Sequence, residues 1–265
     1  VKDSTDPDGQ YTRRVRGFFE GCGVAVSVQS LDFHNTCTQL PTPPVRPDLV
    51  VVIGGDGTFL RTAQCYARDE VPMVGVNRGN LGFLTRIETE DIETYLVRLL
   101  EGRYSLENRF MLAVTHDVPG DGAHDHLALN DVVIKGAHPS QMVRLCLSID
   151  GDEVAVYDAD GLILSTPTGS TAYNLAAGGP VVSPELQAVC ITPICPHSLS
   201  AKPIVVPARQ AIRVQSSGKN LHDVVCSVDG QDVGSIRAGQ SLTVRRAAID
   251  LKLVDFHEEQ DNFYW

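Results

Sequence analysis

The densest chemistry in the chain lies at residues 54–58, Gly-Gly-Asp-Gly-Thr. An apolar run at 50–53 leads straight into it, and Phe59, Leu60 and Ala63 then restart a helical pattern. The glycines therefore fall where a buried parallel strand turns into a helix. Backbone amides at such a turn sit at the positive end of a helix and suit phosphate oxygens. The glycines let a pyrophosphate approach the main chain closely. Asp56 places a carboxylate in the middle of this anion site. Two jobs would justify it: taking the proton from an attacking hydroxyl, or helping to hold Mg²⁺ over the phosphates. A Walker A motif is absent, and so are the HRD and DFG motifs of protein kinases. The plain alternative is an Asp-Gly turn with no ligand.

Three further stretches carry polar chemistry. NRGNLGFL at 77–84 also follows a candidate strand, so both glycine loops belong at the carboxyl edge of an α/β layer, where ligands bind. Otherwise it is a connection with Phe83 packed inward. In DGLILSTPTGSTAYNLAAGGP at 160–180, a hydroxyl-rich turn separates a strand at 161–165 from a short helix at 171–177. Hydroxyls and amides at a helix start suit ribose hydroxyls or an amide-bearing base, and Tyr173 can stack on a ring. A capped helix would account for Ser170 and Gly178 but not for so many small polar residues. Asn130 and Asp131 interrupt a strand pattern, and Asn offers both the donor and the acceptor needed to read a base or carboxamide. A solvent-facing strand end is the alternative there. His116, His124 and His126 read as part of an exposed hairpin tip rather than a metal site. Arg61, Arg78, Arg86, Lys135 and Lys202 are candidate phosphate partners, though most read as surface charge.

The elements that must position these residues change character near residue 109. Before it, helices at 12–23, 58–68 and 90–102 alternate with strands at 24–28, 49–53 and 71–76, a parallel α/β pattern. A stiff connection lies at 41–47. No strand precedes the first helix, so a first strand is expected to lie outside this sequence. After residue 109 the pattern is β-rich: two strands within 110–134, hairpins turning at Asp150-Gly151 and within 226–233, and strands at 211–216 and 241–254. Two domains follow, 1–108 and 109–249. The formal net charge of −11 argues against a general nucleic-acid or anionic-membrane surface. No apolar run approaches a membrane span, and no secretory leader is visible. Seven cysteines at scattered spacings, with no CxxC pair, read as reduced thiols of a cytoplasmic protein.

Together the four stretches, with ITPICPHSLSAKPIVVP at 191–207, resemble the NAD kinase family over most of the chain. Lipid kinases share GGDGT but give no reason for STPTGSTAYN. A lipid kinase, or a nucleotide-binding protein without catalysis, is the competing reading. The resemblance implies an N-terminal α/β domain, completed by residues 250–265, that binds the phosphate donor, and a β-sandwich domain that binds NAD. It implies Mg²⁺-dependent transfer of a phosphoryl group, usually from ATP, to the 2′-hydroxyl of the adenosine ribose of NAD. Polyphosphate is the other donor the sequence leaves open. Mg²⁺ or another divalent cation would arrive with the nucleotide. Assembly as a homodimer or homotetramer is implied too. By resemblance Asp56 is catalytic, and Gly54, Gly55, Gly57 and Thr58 bind phosphate. Phe83 lines the NAD pocket, Asn130 contacts NAD and Asp160 binds the nicotinamide end. Thr168, Thr171, Ala172 and Tyr173 wrap NAD, and Asp229 lies near the substrate. The family has Asn-Glu where this chain has Asn130-Asp131, so a shorter carboxylate stands at a substrate-binding position. The family's first strand, which ends in an Asn-Pro-type loop bordering the phosphate site, has no counterpart here.

Overall fold

A computed structural model describes residues 6–31, 45–78, 82–116, 126–138 and 141–257. Contacts divide the chain into two compact units, Val1–Asn108 with Asp250–Trp265, and Arg109–Ile249.

In the first unit, α1 (Gln10–Gly21), β1 (Val50–Ile53), α2 (Asp56–Tyr66), β2 (Met73–Asn77), β3 (Thr85–Glu88) and α3 (Ile92–Leu100) alternate. β1 and β3 both run parallel to β2. The end of a long strand, β15 (Ser241–Asp255), also joins β2, pairing Leu253 with Met73. β2 is buried at every position, as a sheet covered on both faces requires. Val15 and Phe19 of α1 and Ile92, Leu96 and Leu99 of α3 share one core with Val74, Val76, Ile87, Val254 and Phe256. The polar start of the chain has a use: Asp6 is buried, and its carboxylate accepts hydrogen bonds from the Tyr11 and Thr12 amides (3.2 and 2.8 Å) and the Thr12 hydroxyl. It caps α1 from outside the helix.

The second unit is a β-sandwich. One sheet orders β11 (Ile204–Pro207), β10 (Ala188–Ile194), β9 (Gly161–Ser165), β6 (Asp131–Gly136), β13 (Val224–Val228) and β14 (Gln231–Ile236), all antiparallel. The other contains β12 (Ile212–Ser216), β7 (Val143–Ile149) and β8 (Asp152–Ala159), with the first part of β15 on β12. β4 (Ser105–His116) pairs with β5 (His126–Ala128). Alternate residues of the two sheets, such as Leu145, Leu147 and Val214 against Val132, Ile134 and Leu162, form one core.

Several expectations change. Residues 24–28 are coil and not a strand, with Val24 and Val28 exposed. β3, β10 and β11 were not anticipated from pattern. The expected hairpin tip at 117–125, residues 79–81 of the second glycine loop and residues 41–44 of the stiff connection lie outside the described residues. Cys22, Cys146, Cys190, Cys195 and Cys226 are free thiols. Cys65 is disulfide-bonded, which corrects the expectation that every cysteine is reduced. Among the described residues no helix is long and apolar enough to cross a membrane.

Candidate active site

β1 delivers the chain to Gly54, whose amide donates to the Val76 carbonyl at 3.0 Å. A Cβ at Gly54 would come within 2.7 Å of the Thr58 hydroxyl, so the tight turn admits only glycine. The Thr58 and Phe59 amides both donate to the Gly55 carbonyl, closing the first turn of α2. The amides of Asp56 and Gly57 take no protein acceptor among the described residues, and Gly57 is exposed. They are the orphan donors of a helix start, available to an anion.

The Asp56 side chain turns to the second glycine loop. Oδ2 accepts the Phe83 amide at 2.9 Å. Oδ1 accepts the Leu84 and Thr85 amides at 3.2 and 3.1 Å and the Thr85 hydroxyl at 3.0 Å. A carboxylate oxygen has two lone pairs, so Oδ1 is saturated while Oδ2 keeps one lone pair. The carboxylate is thus fixed in direction before any ligand arrives. A Cβ at Gly82 would fall on this carboxylate, so glycine is required there as well.

In the second unit an anion organises a loop. Asp229 and Gly230, at φ 47 and 77°, form the two-residue turn between β13 and β14. The Asp229 carboxylate accepts the Leu129 and Asn130 amides, both at 2.8 Å, and the Asp131 amide at 3.1 Å. The carbonyls of this loop then hold the next segment. Thr166 donates its hydroxyl to the Leu129 carbonyl (2.6 Å) and its amide to the Asn130 carbonyl (2.9 Å). The Gly169 amide donates to the Thr166 hydroxyl oxygen. A Cβ at Gly169 would run into the Asn130 backbone, so the 3-10 turn Thr168–Thr171 lies directly on Asn130.

Behind this turn sits a buried polar layer. Ser170 exchanges hydrogen bonds with the Val182 backbone, and so does not act as a helix cap. Asn174 donates to the Ser170 and Pro180 carbonyls and accepts the Thr192 hydroxyl at 2.7 Å. The buried Arg109 guanidinium donates to the Thr168 hydroxyl oxygen at 3.4 Å. Asp131 is also buried, and burial together with the Asp229 charge pushes its carboxyl up to about 7.

Gly54, Gly55, Asp56, Gly57, Thr58 and Phe83 therefore share a site in the first unit. Asn130, Asp131, Thr168, Thr171, Ala172, Tyr173 and Asp229 lie on one connected set of turns in the second. Asp160 is not among them. It precedes β9, where its amide donates to the Ile194 carbonyl, whereas Thr168 follows the other end. Five strand residues separate those ends by about 17 Å. Phe83 and Tyr173 are each 44% exposed, so Phe83 is not packed inward. His116 and His126 meet edge to face at 6.1 Å, and His124 is outside the described residues. Among the described residues no group of three His, Cys, Asp or Glu side chains could hold a metal. Thr85, Arg109 and Asn174 escaped sequence reading. The one signal for Asn174 was its place in a run of small polar residues.

The chain matches the ATP-NAD kinase N-terminal domain over residues 35–104 and the ATP-NAD kinase C-terminal domain over 129–256. It is 46% identical over 224 residues to an NAD kinase of Heliobacterium modesticaldum, covering 82% of this chain and 78% of that one. Among solved structures it is similar to an NAD kinase from Archaeoglobus fulgidus in complex with ATP, at 28% identity and TM-score 0.76 over 95% of this chain and 91% of that one. It is also similar to yeast NADH kinase complexed with NADH, at 31% identity and TM-score 0.75 over 82% of this chain. It spans 63% of the yeast chain. The chain belongs to the NAD kinase family, whose members are phosphotransferases with an alcohol group as acceptor.

Proposed function

We propose that this chain transfers the terminal phosphoryl group of ATP, brought in with Mg²⁺, to the 2′-hydroxyl of the adenosine ribose of NAD. The observation that carries this reading is the Asp56 carboxylate, held by four donors with one lone pair of Oδ2 left open. The acceptor hydroxyl bonds that lone pair. Its oxygen forms a bond to the γ-phosphorus as the bond to the bridging β–γ oxygen breaks, and ADP leaves. The hydroxyl proton passes to Asp56 and then to solvent. In a loose transition state this proton leaves late, so orientation by Asp56 matters as much as its basicity. The amides of Asp56 and Gly57 face the phosphates, and Gly54, Gly55 and Thr58 shape the turn. Asn130, Asp131, Thr168, Thr171, Ala172 and Tyr173 receive the dinucleotide on the turn that Asp229 anchors, and Phe83 lines its pocket. Asp160 acts elsewhere, at the nicotinamide end. The ATP and NADH held by the two related structures support both substrate classes. The chain works in the cytoplasm as a homodimer or homotetramer, and polyphosphate is the alternative donor to test.

A coupled assay tests the reading: the chain with Mg²⁺, ATP and NAD, and NADP detected by an NADP-specific dehydrogenase. NADP formation with melting raised by NAD is expected. Absence of both signals would overturn the assignment for this chain. Gly82→Ala is a sharper probe of the carboxylate's placement. The added methyl meets the Asp56 carboxylate and displaces either it or the loop, so turnover is expected to fall roughly 10²-fold. Thermal melting should stay close to the parent's. Turnover within twofold of the parent would show that the position of Asp56 is not critical.

A further inference from the structure

Asp131 and Asp229 are hydrogen-bonded to each other, once through their backbones and once through the Asp229 side chain, and differ in what their carboxyl groups meet. The Asp229 amide donates to the Asp131 carbonyl at 3.0 Å, and the Asp131 amide donates to Asp229 Oδ1 at 3.1 Å. The Asp229 carboxylate accepts three amides, using both oxygens. Such a nest favours the ionised form and fixes the negative charge on Asp229. The Asp131 carboxyl has no such partners. The residue is 6% exposed, and among the described residues nothing donates a hydrogen bond to its carboxyl oxygens.

Among the described residues the surrounding elements offer no cation that acts on Asp131. Asp131 opens β6 opposite Ser165 of β9, and the next residue, Val132, pairs with Val228 of β13. β9 has no titratable side chain, and β13 has only Cys226, which points into the apolar core. The 166–171 segment contributes hydroxyls. Arg109 lies on Thr168, Asp232 of β14 accepts the Gly234 amide, and Lys135 is four residues along β6. Asp229 is the charged group that acts on Asp131. Under the charge of a carboxylate held ionised by three amides, the buried Asp131 carboxyl keeps its proton. Burial and the Asp229 charge bring its ionisation to about 7.

We propose that Asp131 works as a neutral carboxylic acid that donates a hydrogen bond to an acceptor atom of the bound dinucleotide, a ring nitrogen or a ribose oxygen, and that losing this proton weakens dinucleotide binding. The proposal rests on the NAD kinase reading of the site. It reverses the role a carboxylate beside a ribose would ordinarily take, which is to accept from the hydroxyls.

The test is calorimetric titration of NAD into the parent chain and into Asp131→Asn between pH 5.5 and 8.5. Asparagine keeps the shape and a neutral donor but cannot ionise. The parent's affinity is expected to hold at low pH and then fall, approaching tenfold per pH unit above about 7. The asparagine variant is expected to bind about threefold more weakly at pH 6 and to show no such fall. A parent affinity that is flat or rises up to pH 8.5, or a variant that has lost binding at every pH while melting normally, would overturn the proposal.

Two readouts do not need NAD. Infrared difference spectra of the free parent across the titration should contain the carbonyl stretch of a protonated carboxylic acid that Asp131→Asn lacks. Melting gives the linked effect, with its sign fixed by proton counts. Folded Asp131 keeps a proton that the unfolded chain loses, so the parent loses stability relative to the variant as pH climbs from about 4 to about 7. Absence of both signals would overturn the protonated state itself. Presence of both with no NAD binding at any pH would instead overturn the kinase reading.

Discussion

Replacing Asp56 with asparagine is expected to lower NAD phosphorylation by roughly 10³-fold or more, the scale of a lost general base, while NAD still binds. Oδ1 can remain and keep the Leu84 and Thr85 donors. The group at Oδ2 becomes an amide nitrogen, which has no lone pair for the acceptor hydroxyl and sets N–H against the Phe83 N–H. Both the proton acceptor and one anchor of the loop are lost. NAD affinity measured by calorimetry should change only a few-fold, because the dinucleotide turns of the second unit are untouched. Turnover within tenfold of the parent would sink the role assigned to Asp56.

The second large effect is on stability. Asp229→Ala removes an acceptor shared by three backbone amides and also places alanine at φ 47°, a conformation it adopts poorly. Hydrogen bonds to a charged group contribute about 1.5–3 kcal/mol each and three sharing one carboxylate are not additive, so a loss of about 4 kcal/mol is expected. Denaturant unfolding measures it. Asp229→Asn keeps one acceptor oxygen and tolerates the backbone conformation, and should cost about half as much. NAD affinity should fall along with stability, because Thr166 and Gly169 are hung from the loop that Asp229 gathers. Destabilisation of less than about 1 kcal/mol for the alanine variant would mean that water replaces the carboxylate without consequence.

What the sequence made legible was local. The strand–glycine–helix turn at 50–66 could be read because an apolar run, the glycines and a restarted helical period adjoin. The hairpin at Asp150-Gly151 could be read because those two residue types accept positive φ, and they sit at 52 and 96°. The residues 24–28 misled because an apolar run makes a strand only when a neighbouring strand completes its ladder, and among the described residues they have none. β10 was hidden by Pro193, a residue that argues against a central strand. It is tolerated because β11 pairs only with Ala188–Ile191, leaving Pro193 paired on one side, with Leu162. The partners of the two organising aspartates lay beyond local reading. Thr85 is 29 residues from Asp56, and Asp131 is 98 residues from Asp229. Only sheet register brings such groups together, and no spacing in the chain announces it.

β15 begins in one unit and finishes in the other, and this sets an order of assembly. A ribosome releases residues 1–108 long before residues 250–256 exist. Until those emerge, β2 is paired at Met73 only on the β1 side, and the core shared by α1 and α3 lacks Val254 and Phe256. The strands of the second unit's Asp131–Ile236 sheet are all complete before that point. Domains generally close as units once their strands are available. The unit whose strands appear first along this chain is therefore the one that finishes folding last, and the turn bearing Asp56 reaches its final support only once residues 250–256 have emerged.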